Sequence, residues 1–134
     1  MFISEIQVRV RYAETDQMAY VYYGNYATYF EVARVEALRA LGFSYKKIEE
    51  SGVFLPVMNY AIDYLKPAYY DDLLTIKTTI RELPTARIRF EYETYNEQDV
   101  LINRATTTLV FIKQSTNRPC PAPEDFMNAI SKYF

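Results

Sequence analysis

The stretch over residues 12–34, YAETDQMAYVYYGNYATYFEVAR, places a carboxylate, Asp16, a few residues ahead of the point where a helical period begins. A carboxylate in that position has two chemical uses: it can act as a nucleophile, or it can take a proton from water. A helix start next to it offers unpaired N–H groups and the positive end of the helix dipole, which together suit a developing negative charge. The plainer alternative is that Asp16 orders its own loop by accepting bonds from neighbouring amides. Glu14, two residues away, could share the site, but a solvated or loop-capping role suits it better.

The chain contains no histidine and one cysteine. That excludes a Ser-His-Asp triad, a Cys-His pair and a zinc site built on histidine. Any catalysis must rest on carboxylates, hydroxyls, backbone amides or basic side chains, and neither metal nor cofactor is expected. Cys120, between Pro119 and Pro121, has no internal disulfide partner and reads as incidental. A net charge of −2 gives no general attraction for nucleic acid.

The elements that must position Asp16 follow from periodicity. Ile6, Val8, Val10 and Tyr12 alternate with Glu5, Gln7, Arg9 and Arg11, the period of a half-buried strand. Tyr26, Tyr29, Phe30, Ala33, Ala37 and Leu41 then recur at three- and four-residue spacing, with Glu31, Arg34, Glu36 and Arg39 on the remaining surface. The spacing predicts one long helix over 25–41, capped by Asn25 and ended by Gly42, with Glu31 paired to Arg34. A short helical turn over 44–50 closes at Gly52. Four strands are expected over 54–65, 73–82, 87–97 and 101–113, all rich in residues that suit a pleated surface. A terminal helix over 124–134 follows a proline-broken linker.

At 134 residues the chain suits a single domain over 1–134. The order of elements gives an α+β fold in which an antiparallel sheet of about five strands wraps around one long helix. Tyrosines and valines left on the outer face of the sheet are a reason to expect an oligomer. No apolar run is long enough to span a membrane, and the first residues lack the pattern of a signal peptide, so a cytoplasmic location is expected.

The blocks VRVRYAETDQMAYVYYGNYATYFEVARVEALRALG, IDYLKPAYYDDLLTIKTTI, RIRFEYETYN, ATTTLVFIK and RPCPAPEDF resemble the hotdog-fold acyl-CoA thioesterases, in the branch typified by 4-hydroxybenzoyl-CoA thioesterase. The resemblance spans nearly the whole chain, and the Tyr-x-x-Thr-Asp pattern with Asn-Tyr opening the helix is its most specific part. It implies hydrolysis of an acyl-CoA thioester, with Asp16 as the catalytic carboxylate and the backbone amide of Tyr23 as donor to the thioester oxygen. Many relatives carry a histidine beside the Asn-Tyr pair and a glycine earlier in the loop; this chain has Tyr23 or Gly24 and Ala19 instead.

Tyr20 and Asn25 are expected to line the substrate pocket. Arg87 and Arg89, two apart on one strand and so on one face, are candidates to clamp the phosphates of coenzyme A, or they belong to a solvated strand face. A homodimer or homotetramer is implied, with acyl-CoA as substrate and acyl carrier protein as a further candidate partner. A non-catalytic module of the same fold that binds acyl-CoA or acyl carrier protein is the rival reading.

Overall fold

A computed structural model describes residues 1–134. Its five-stranded antiparallel sheet runs in the order β1 (Phe2–Arg9), β4 (Leu73–Ile80), β5 (Arg87–Tyr95), β6 (Leu101–Val110) and β3 (Val57–Tyr64). The helix α1 (Asn25–Ala40) lies across the concave face. Its buried side, Tyr26, Tyr29, Phe30, Ala33, Arg34, Ala37 and Leu38, repeats at three and four residues, as a helix laid against a sheet requires. Phe30 stacks on Tyr92 of β5 at 4.6 Å between ring centres, which fixes the middle of the helix over the middle of the sheet.

The strand register explains how the two faces differ. Ile76, Tyr92, Ala105 and Leu109 face the helix and are buried. On the other face, Glu5, Lys77, Glu93, Arg104 and Asp63 stand side by side across all five strands, alternating in sign. Lys77 and Glu93 approach to 3.8 Å in this row. The outer face is therefore largely a charged surface, while a run of exposed apolar residues, Val57, Met58, Tyr60, Tyr64 and Leu65, lies on the edge strand β3 and just beyond it.

Several expected boundaries shift. Residues 54–65 divide into β2 (Val53–Phe54) and β3, with Leu55 and Pro56 between them, because proline cannot donate to a ladder. Residues 101–113 divide likewise, and β7 (Ile112–Lys113) leaves the main sheet to join β2 and β8 (Arg118–Pro119) in a small second one. Tyr12 does not continue the first strand; it sits 77% exposed in a 3-10 turn over Tyr12–Glu14. The short helix α2 (Tyr45–Glu50) is capped by Ser44, whose hydroxyl accepts from the Lys47 N–H at 3.1 Å, and Gly52 follows it at φ +85°. Gly42 ends α1 at φ +91°, and α3 (Glu124–Ile130) buries Phe126 and Ile130.

Candidate active site

Asp16 occupies a loop that folds on itself. Its Oδ1 accepts from the N–H of Met18 at 2.9 Å and of Tyr20 at 3.3 Å, while its own N–H donates to the Tyr20 carbonyl at 2.8 Å. Ala19 completes the turn at φ +64°, a conformation that glycine adopts more easily and that costs alanine about 1 kcal/mol. The loop-ordering role engages Oδ1 alone, and Oδ2 takes no part in these bonds.

The chain enters α1 through a tight turn in which the Asn25 N–H donates to the Tyr22 carbonyl at 2.9 Å. Gly24, at the cap position, is already helical (φ −66°, ψ −21°) and no side chain caps the helix. The N–H groups of Tyr23 and Gly24 thus find no acceptor within the chain. Asn25 is not the N-cap expected from its type. Its side-chain amide turns back and donates to the Glu14 carbonyl at 2.8 Å, so it ties the helix to the loop.

Asp16, Tyr20, Val21, Tyr23 and Tyr26 line one cavity of about 330 Å³ together with Tyr64 and the segment that follows it, Leu65 to Pro67. Tyr26 forms its inner wall; burial pushes its phenol up to about 12, so it remains a neutral donor at physiological pH. Tyr20 is held edge-on against Tyr69 at 5.3 Å. Lys66 supplies the cavity's cation, a residue that reads in sequence only as part of a Lys-Pro turn.

Not all of the expected site residues converge. Arg87 and Arg89 face away from the helix, and Arg89 pairs with Thr108 near the end of the sheet remote from Tyr64, about 16 Å along β5 from the level of the cavity. Within one chain they do not meet Asp16. Asn25 is engaged with Glu14 and does not line the cavity. Glu31 and Arg34 form no ion pair: Arg34 is only 8% exposed and its Nε donates to the Tyr45 hydroxyl at 3.1 Å, which joins α1 to α2. Glu14 is buried as well, with four donors on its carboxylate, so it is a capping residue and not a solvated one.

An antiparallel sheet curved round one helix is the architecture of the hotdog thioesterases. Residues 10–130 match the family model described as the thioesterase-like superfamily, and the chain belongs to that family. Among its relatives is the acyl-CoA thioesterase YbgC of Haemophilus influenzae, 34% identical over 119 residues, covering 88% of this chain and 87% of the relative. The crystal structure of a DHNA-CoA thioesterase from Staphylococcus aureus superposes with a TM-score of 0.93 at 37% identity, covering 99% of this chain and 91% of that one. A 1,4-dihydroxy-2-naphthoyl-CoA thioesterase from Synechocystis superposes with a TM-score of 0.89 at 27% identity, covering 96% of each chain. The chain is thus an enzyme of the thioesterase class.

Proposed function

We propose that the protein hydrolyses an acyl-CoA thioester to the free acid and coenzyme A, with Asp16 as nucleophile or general base and the N–H of Tyr23 as donor to the oxyanion. The observation that carries this reading is that Asp16 and Tyr23, whose N–H lacks an acceptor, line one cavity at the start of α1. Water supplies the hydroxyl that ends on the acid, and the sulfur leaves as thiolate and takes the proton. In the direct route Asp16 first forms a mixed anhydride that water then opens; in the other it draws a proton from water as the water attacks. The backbone donor serves both, because each passes through a tetrahedral centre with charge on oxygen.

Lys66 is placed to meet an anionic part of the substrate at the cavity. Arg87 and Arg89 act as a phosphate clamp only for a substrate held by a neighbouring chain, since they lie on the far face of the sheet. The working form is a homodimer or a dimer of dimers. The exposed apolar residues on β3, whose outer edge pairs with no strand, support this.

The test is release of free thiol from a panel of short, long, branched and aromatic acyl-CoAs, without added metal. Asp16→Asn keeps an oxygen to accept from Met18 and Tyr20, so the loop survives, while turnover is expected to fall about 100-fold or more. Parental turnover by Asp16→Asn would make the carboxylate structural. A panel that gives no thiol above buffer would favour a non-catalytic module that binds acyl-CoA or acyl carrier protein.

A further inference from the structure

Glu14 stands two residues before Asp16 and is 8% exposed. A carboxylate so buried is costly unless its oxygens are filled, and these are. Oε1 accepts from the Arg11 N–H at 2.8 Å and from the Tyr29 hydroxyl at 2.8 Å. Oε2 accepts from the Arg11 guanidinium through Nε at 3.2 Å and Nη2 at 3.0 Å. The main-chain carbonyl of the same residue accepts twice more, from the Tyr22 N–H at 2.8 Å and from the Asn25 side-chain amide at 2.8 Å.

These bonds have a direction. Every hydrogen bond of Asp16 stays within residues 16–20, so none fixes it relative to the helix. Glu14 reaches α1 at Asn25 and again a turn later at Tyr29, and it also holds Tyr22, the neighbour of Tyr23. It does not line the cavity, so it has no path to the reacting atoms. We infer that Glu14 is a positioning residue: its carboxylate, by bonding Tyr29 while its main-chain carbonyl holds Asn25 and Tyr22, sets the distance between the Asp16 carboxylate and the Tyr23 N–H. This rests on the roles proposed for those two groups.

The chemistry of the four donors shows which replacement should work. In Glu14→Gln the amide oxygen can keep the inner pair, Arg11 N–H and Tyr29 hydroxyl, while the amide nitrogen faces the Arg11 guanidinium, whose side chain is 77% exposed and free to turn to water. In Glu14→Ala both inner donors lose their acceptor; the main-chain bonds to Tyr22 and Asn25 remain, but the tether one turn further along the helix, at Tyr29, is gone, so the helix can pivot against the loop.

The experiment measures kcat and KM for acyl-CoA hydrolysis in Glu14→Gln, Glu14→Ala, Tyr29→Phe and Glu14→Ala/Tyr29→Phe, with melting temperatures alongside and Asp16→Asn as control. Glu14→Gln is expected to stay within about threefold of the parent in kcat. Glu14→Ala should fall about 10- to 100-fold in kcat with KM little changed, the scale of a displacement of about 1 Å between reacting groups. Tyr29→Phe should lose about three- to tenfold, and the double variant no more than Glu14→Ala alone, since the two residues act through one bond.

Glu14→Gln as inactive as Glu14→Ala would overturn the inference, because the charge itself would then take part in the chemistry. Parental kcat in Glu14→Ala, with only the melting temperature lowered, would overturn it as well. Should Glu14→Ala fail to fold, Tyr29→Phe decides, and its parental kcat would be equally fatal. Parental turnover by Asp16→Asn removes the mechanism underneath, whereas an inactive Asp16→Asn beside a parental Glu14→Ala removes the positioning role alone.

Discussion

Burial on its own would raise the Glu14 carboxyl, but the bonds from the Arg11 N–H, its guanidinium and the Tyr29 hydroxyl, with the guanidinium's charge, outweigh it and hold the group below the ordinary glutamate value of 4.5. A carboxyl depressed in the folded state stabilises that state above its unfolded value, and the contribution is lost as pH falls through the folded one. The parent should therefore lose melting temperature below pH 4.5 more steeply than Glu14→Gln, which has no proton to take up there. Melting curves across pH about 3 to 6 check this, and parallel curves for the two proteins would dismiss it. The same residue shows where reading stops at this scale. Asp16, Tyr20 and Tyr23 are legible because a short motif fixes them in one loop. The burial of Glu14 is not, because one of its partners, Tyr29, lies fifteen residues away and meets it only after the helix has docked.

At the scale of the element, Arg34 illustrates why a charge on a helix is easily misplaced. Its spacing from Glu31 suits a surface pair, yet the position falls in the buried series with Phe30 and Ala37, and its guanidinium goes to the Tyr45 hydroxyl instead. It acts as a strut between α1 and α2. Arg34→Ala should cost about 1–3 kcal/mol, through lost packing of the stem and loss of the hydrogen bond, and Tyr45→Phe about 0.5–1.5 kcal/mol. Denaturant unfolding measures both, and a change under about 0.5 kcal/mol for Arg34→Ala would mean that the contact carries no load. The long helix and the strands are legible because their periods persist over many residues. Their ends are less so. Pro56 signals its break openly, but Phe111, where the last long strand leaves the sheet, carries no local mark and is buried like its neighbour Leu109. Arg87 and Arg89 share a face as their spacing requires, while which face, and which end of the sheet, is decided by pairing with residues far along the chain.

For the whole molecule, the apolar surplus of the sheet is densest along one border. The alternating charges across the back of the sheet suit water, whereas Val57, Met58, Tyr60 and Tyr64 crowd a strand that pairs with β6 alone. Expectation from composition placed this surplus on the outer face; the register moves it, since Tyr60, Ile62 and Tyr64 are paired with the helix-facing residues Thr107, Ala105 and Asn103. A solution mass twice or four times that of one chain, at micromolar concentration, is the expected outcome. A monomer with full activity would refute it. The free border of β3 also has a signature in isotope exchange. In an antiparallel strand alternate amides point to opposite sides, so along 57–64 only one set is committed to β6 and the other faces outward. In a separated chain the outward set takes up deuterium quickly while the inward set resists. Joining a second strand at that border would slow the outward set too, removing about half of the early uptake of a peptide over 57–64 and leaving that of β5, paired on both sides, as it was.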